Sequence, residues 1–169
     1  MTYCGDDCIS FELHFTYSEF NDIMRNFSLT LAQKEYVLKH KYEYIINFDK
    51  IIQKNDILTL FPNIDEIIIY NGYKTNLLHL ACIKRKYYLA KSILLAGADP
   101  NLEIEEITPL LSWILGDYGD SQCPARIDIG INLFSLFGVN RLHKKYKSVR
   151  WFPNLDVLLK NPLFSDLFE

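Results

Sequence analysis

Thiols and imidazoles are the side chains of this chain that could carry out catalysis or bind a metal, because they act as nucleophiles, bases and ligands. The cysteines of the sequence are Cys4, Cys8, Cys82 and Cys123. Their spacing lacks the repeated close pair of a structural zinc site, so we expect reduced thiols, no metal and no cofactor. The sequence also lacks a glycine-rich phosphate loop and a nucleophile elbow. A non-enzymatic protein is therefore predicted, with a thiol-dependent enzyme that uses Cys123 and His143 as an open alternative.

A basic segment at residues 141–151 is the second chemical feature. Its cations could contact phosphate groups, and three ring side chains lie between them. The whole chain has 18 basic and 21 acidic side chains, and its net charge of -3 provides no general attraction to nucleic acid or to an anionic membrane. We expect a solvated edge, and a nucleic-acid-associated protein remains the alternative. The cations are Arg141, Lys144, Lys145, Lys147 and Arg150, and the ring residues are His143, Tyr146 and Trp151.

The chain that positions these residues has the composition of a globular protein. It is 169 residues long, 49% hydrophobic and 23% charged, which predicts a single folded unit. Apolar residues alternate from Ile9 to Tyr17, which indicates a strand, and the run from Ile67 to Tyr70 has strand length. Residues 31–52 contain no Gly or Pro and predict one long helix, or two short ones with a break near Asn47.

No part of the sequence resembles a membrane or export segment. No apolar run approaches the ~20 residues that cross a bilayer. The start of the chain is acidic, whereas a secretory signal begins with basic and then apolar residues. We therefore expect a cytoplasmic protein that does not bind a membrane.

Residues 75–101 contain the pattern that decides the fold prediction. Leu78-His79-Leu80-Ala81 opens one apolar helix, and Gly97-Ala98-Asp99-Pro100-Asn101 follows a second one. At this spacing the two motifs resemble an ankyrin repeat, whose helix pair lies between Leu-His-x-Ala and a Gly-Ala-Asp-x-Asn turn. The resemblance implies that the two helices meet at Ala81 and that His79 has a structural role. Gly97 is predicted to be a left-handed helix cap, where a Cβ atom would clash.

The resemblance weakens on either side of this segment. Thr108-Pro109-Leu110-Leu111 resembles the start of a second repeat that ends near Gly138, with residues 116–124 as an inserted loop. The clearest repeat has Asn76-Leu77 where the family usually has Thr-Pro. It also has Arg85 where the family usually has a Gly between the two helices.

The predicted fold is mainly α, with stacked antiparallel helix pairs like those of an ankyrin solenoid and a short N-terminal strand or small β element. Residues 48–140 are predicted to form the ankyrin-like repeats. Residues 1–47 are predicted to be an N-terminal strand and helical capping region, and residues 141–169 a basic segment and C-terminal cap. An array of few repeats needs such non-repeat caps because a single repeat cannot bury both of its faces.

Ankyrin repeats bind other proteins on a surface of hairpin tips and inner helices, so the resemblance implies a protein-protein interaction module. The bias toward Ile, Asn, Lys and Tyr indicates an AT-rich genome. It fits a bacterial or viral effector, delivered into a host cell by a dedicated secretion system, or a toxin-neutralising immunity protein. Either would bind a partner protein and inhibit or redirect it. The predicted contact residues are Tyr73, Lys74, Thr75, Ile83, Lys84, Arg85, Glu103, Glu105 and Glu106, with Asp117, Tyr118 and Asp120 in the inserted loop.

Overall fold

A computed structural model describes residues 31–47, 50–116, 124–152 and 155–168. Over these ranges the chain is mainly helical, with eight α-helices and one two-stranded antiparallel sheet, so the mainly α prediction with a small β element is confirmed. The predicted strand from Ile9 to Tyr17 lies outside the described residues. The helices are α1 (Leu31–Ile46), α2 (Lys54–Leu60), α3 (Leu77–Ile83), α4 (Tyr87–Leu95), α5 (Pro109–Leu115), α6 (Pro124–Leu136), α7 (Leu155–Leu158) and α8 (Pro162–Ser165).

Two tight hairpins precede α3 and α5. In the first hairpin, β1 (Ile68–Tyr70) pairs with β2 (Tyr73–Thr75) around Asn71 and Gly72, which have φ values of 50° and 85°. Positive φ at both central residues is the geometry of a type I′ turn, whose twist matches that of the paired strands. The second hairpin, residues 104–107, is a single bridge between Ile104 and Ile107 around two glutamates with φ values of 51° and 69°.

A side-chain cap follows each hairpin and starts the next helix. Asn76 Oδ1 accepts a hydrogen bond from the backbone N–H of His79 at 2.9 Å, and Thr108 Oγ1 accepts one from the N–H of Leu111 at 3.2 Å. These bonds satisfy backbone donors that the first turn of a helix leaves without a partner. Asn76 thus provides the N-cap of α3, and Thr108 provides that of α5.

The helices pack in two rows. In one row α3 contacts both α1 and α5, and in the other α4 contacts both α2 and α6. The chain passes between the rows at residues 84–86, where α3 ends and α4 packs back against it. Ala81 is completely buried, as predicted for the residue at which the two helices meet. The predicted left-handed cap is also confirmed, since Gly97 has a φ of 104°.

The turns that follow the helix pairs are linked along one edge. The N–H of Asp99 donates to Asp65 Oδ1 at 3.0 Å, which ties one turn to the one before it. Asn101 links the next pair of turns, because its amide donates to the Gly138 carbonyl at 3.2 Å and accepts from the Asn140 N–H at 2.7 Å. Each turn is therefore held by its neighbour as well as by its own helix.

The C-terminal residues close one end of the rows. Helix α8 packs on α6, and the N–H of Leu142 donates to the Leu167 carbonyl at 2.8 Å. Phe164 lies edge-to-face with Phe152 and with Phe168, at ring centroid distances of 5.3 Å in both cases. Among the described residues, no helix combines the length and the apolar character needed to cross a bilayer.

Candidate functional site

A cleft of about 190 Å³ lies between the two hairpins, α3 and α5. We call it the hairpin cleft. It contains five of the contact residues predicted from the sequence: Tyr73, Lys74, Thr75, Ile83 and Glu105. The other lining residues are His79, Ile104, Ile107 and Ser112.

The walls of the hairpin cleft combine apolar surface with rim charges of both signs. Tyr73 is 42% exposed and Ile83 is half-buried, while Thr75 is buried in the wall. Lys74 and Glu105 are exposed, and each belongs to a different hairpin. A site of this kind can bury an apolar side chain of a partner while its rim charges orient that partner.

His79 forms part of the floor and holds three parts of the structure together. Its Nε2 lies 2.8 Å from the Leu102 carbonyl and its Nδ1 lies 3.2 Å from Ser112 Oγ. A carbonyl only accepts, so Nε2 donates its proton and Nδ1 accepts from the Ser112 hydroxyl in the neutral ring. Both nitrogens are therefore engaged in bonds that join α3 to α5 and to the residues before the second hairpin. The structural role predicted for His79 agrees with this geometry.

The stability of the protein should fall at mildly acidic pH because of His79. Burial lowers the pKa of His79, although its hydrogen bond to the Leu102 carbonyl raises it in part. The unfolded imidazole binds a proton more readily than the folded one. The contribution of His79 to the free energy of unfolding is therefore present above its ordinary pKa of 6.5 and is lost as the pH falls through the lowered value.

Urea unfolding of His79→Gln at a series of pH values between about 7 and 5 measures this effect. The variant should be less stable than the wild type at neutral pH, and its stability should change less as the pH falls. His143→Gln is the control for the replacement of an imidazole, because His143 is exposed and its loss should leave the stability at neutral pH close to that of the wild type. The same pH dependence in His79→Gln as in the wild type would contradict the role given to His79.

Arg85 lies inside the protein, so its prediction as an exposed contact residue is wrong. Its side chain is completely buried, with Nε donating to the Trp113 carbonyl and Nη2 to the Ile114 carbonyl, both at 2.9 Å. The backbone of Arg85 has a φ of 51°, in the left-handed region that usually favours glycine. The guanidinium binds carbonyls at the end of α5 and cannot reach a partner.

Three further predicted contact residues, Lys84, Glu103 and Glu106, do not line the hairpin cleft. Lys84 is half-buried at the end of α3. Glu103 and Glu106 are exposed on the far side of the second hairpin, where Glu106 Oε2 lies 3.8 Å from Lys145 Nζ. The inserted-loop residues Asp117, Tyr118 and Asp120 are outside the described residues.

Comparison of the chain with models of protein families, with curated proteins and with solved structures finds no match. The geometry of the chain's own side chains therefore carries the functional argument.

Sequence reasoning placed Glu105 of the second hairpin at the binding surface but missed two apolar residues of the same hairpin. Ile104 is buried and Ile107 is half-buried, and both line the cleft beside Glu105. Two isoleucines that flank a two-residue turn are a hairpin signal that could have identified them.

The basic segment exposes its cations and His143, but not the ring of Tyr146. All five of its Lys and Arg side chains are exposed. Tyr146 is buried, Trp151 is half-buried, and the two rings lie edge-to-face with centroids 4.9 Å apart. The Tyr146 ring is thus used within the protein and is not available to stack on a nucleic acid base.

A thiol or metal centre has no support in the described part of the chain. No group of three or more His, Cys, Asp or Glu side chains there could hold a metal ion. Cys82 is completely buried, and burial raises its pKa well above the usual range, which keeps it a protonated, unreactive thiol. Cys123, the alternative nucleophile, lies outside the described residues.

Proposed function

We propose that the chain is a non-enzymatic protein-protein interaction module with ankyrin-like repeats. It binds a partner protein through the hairpin cleft and inhibits or redirects that partner by occupying part of its surface. The observation that carries the proposal is the convergence of Tyr73, Lys74, Ile83 and Glu105, from two hairpins and a helix, on one cleft.

The order of the elements supports the repeat character of this proposal. A type I′ hairpin, a capped short helix, a tight turn and a second helix with a left-handed glycine cap follow one another from residue 68 to residue 97. From the second hairpin to Gly138 the described residues again form a hairpin, a capped short helix and a second helix, and Gly138 also has a positive φ of 78°. Leu111 then occupies the position that corresponds to His79.

The chemistry of the hairpin cleft supports a protein as the ligand. Its volume of about 190 Å³ is below the ~300–1,000 Å³ typical of small-molecule pockets, but it suits one side chain of a partner. Tyr73 offers an aromatic ring at its edge, and tyrosine is enriched among the residues that dominate binding energy. Lys74 and Glu105 at the rim favour a partner that presents opposite charges on either side of an apolar side chain.

Replacement of Tyr73 by Ala should weaken partner binding by about 2 kcal/mol or more, because the ring is the largest exposed apolar surface of the cleft. Its effect on the melting temperature should be small, since the side chain is 42% exposed. Tyr88→Ala is the matched control, because Tyr88 is 46% exposed and lies on α4, away from the cleft.

The measurement is quantitative affinity capture from the native cell, with wild-type, Tyr73→Ala and Tyr88→Ala proteins compared at equal loading. Partners retained by the wild type and by Tyr88→Ala should be lost from Tyr73→Ala. Equal retention by all three folded proteins would exclude the hairpin cleft as the binding surface.

A further inference from the structure

A second and larger pocket, of about 540 Å³, lies between the second hairpin and the basic segment. We call it the basic pocket. It shares no lining residue with the hairpin cleft, and its volume is within the ~300–1,000 Å³ that is typical of small-molecule sites. Its charged lining residues are Glu103, Arg141 and Lys145, and its lining also includes His143 and Tyr146.

The lining of the basic pocket is positive, although the chain as a whole is acidic. Arg141 and Lys145 carry permanent charges, and Glu103 is the single carboxylate of the lining. Arg141 is exposed and lines the pocket. It makes no hydrogen bond or ion pair with the described residues. Lys145 Nζ lies 3.8 Å from Glu106 Oε2, and both side chains are so exposed that the pair is weak.

The backbone around these side chains is held in place by hydrogen bonds. The Asn101 side chain links its turn to the turn that contains Asn140. Its amide N–H donates to the Gly138 carbonyl, and its Oδ1 accepts from the Asn140 N–H. Tyr146 donates its hydroxyl proton to the Glu106 carbonyl at 2.5 Å, which joins the basic segment to the second hairpin. His143 Nδ1 accepts from the N–H of Lys145 at 2.9 Å, so the neutral ring carries its proton on Nε2 and can donate it to a ligand.

We propose that the basic pocket binds a small molecule that carries a phosphate or carboxylate group. Arg141 is the main contact of the oxyanion, because a guanidinium binds two oxygens at once and this one has no described partner. Lys145 and the Nε2–H of His143 supply further positive charge and a donor. The volume exceeds that of a single oxyanion, so the ligand has a polar body that contacts the amides of Asn101 and Asn140, which also line the pocket.

The test is isothermal titration of the full chain with adenosine 5′-monophosphate, glucose 6-phosphate and citrate at millimolar concentration. Adenosine and glucose serve as uncharged controls. Arg141→Ala should weaken the binding of the charged probe about tenfold or more, because it removes a charge-assisted hydrogen bond. Glu103→Gln should tighten it by removing a negative charge. Lys147→Ala is the matched control, because Lys147 is exposed in the same segment but does not line the pocket.

Binding of a phosphate ester alone, or of citrate alone, would support the proposal and identify the oxyanion as phosphate or carboxylate. The proposal would be overturned by a lack of saturable binding to all three charged probes. Equal weakening by Arg141→Ala and Lys147→Ala would also overturn it, because binding would then reflect the general charge of the segment. Weaker binding of the anionic probes by Glu103→Gln would have the same consequence, since the carboxylate would then favour the bound molecule and not repel its negative charge.

Discussion

Arg85→Gly should destabilise the protein by about 2–4 kcal/mol, even though glycine is the residue that a left-handed position usually favours. Relief of the positive φ of 51° would by itself stabilise the variant by about 1–2 kcal/mol. Against this, the variant loses the bonds from Nε to the Trp113 carbonyl and from Nη2 to the Ile114 carbonyl, each worth about 1.5–3 kcal/mol for a charged donor. A cavity also remains where a completely buried side chain was.

Chemical denaturation measures this difference, and Glu105→Gly is the matched control. Glu105 has the same φ of 51° but is exposed in the second hairpin, so its replacement removes strain without loss of buried hydrogen bonds. It should leave stability unchanged or raise it slightly. If Arg85→Gly proved as stable as Glu105→Gly, the buried guanidinium would have no structural role.

The contrast between Gly97 and Arg85 shows where sequence reasoning succeeds. Gly97 was predicted as a left-handed cap because its motif is local: the glycine follows directly after the apolar helix that it ends. The role of Arg85 depends on carbonyls 28 and 29 residues further along the chain. No local pattern reveals such a partner, and Arg is almost never fully buried without one.

The helix boundary near Asn47 and the hairpin cleft also depend on residues that are distant in the sequence, which local patterns do not reveal. The sequence allowed one helix or two over residues 31–52, and the structure ends α1 at Ile46 and starts α2 at Lys54. Residues 31–52 contain no Gly or Pro that would mark the end of a helix. The boundary is instead decided by packing, because α1 packs against α3 and α2 packs against α4. In the cleft, the resemblance to an ankyrin repeat predicts Tyr73, Lys74 and Ile83 on hairpin tips and an inner helix. It does not predict Ile104 and Ile107, whose place in the cleft depends on how the second hairpin packs.

Gly130→Ala should destabilise the protein by about 3 kcal/mol or more, the opposite of its usual effect in a helix. Replacing glycine by alanine inside a helix ordinarily adds up to about 1 kcal/mol of stability. Here the Trp113 indole lies directly over Gly130, and a Cβ atom at Gly130 would be far inside van der Waals contact with indole atoms Nε1, Cδ1 and Cε2. Trp113 cannot easily move away, because its side chain is 1% exposed and its Nε1 donates to the Arg126 carbonyl at 2.9 Å.

Asn132→Ala on the same helix α6 is the control, since Asn132 is exposed and alanine there should leave the urea midpoint unchanged or raise it. A double-mutant cycle then separates the clash from any general effect on the helix. In a Trp113→Leu background the smaller side chain leaves room for the new methyl group, so the cost of Gly130→Ala should shrink markedly. An equal cost in both backgrounds would show that the indole is not what requires glycine at this position. The close contact of α5 with α6 at Gly130 would then need another explanation.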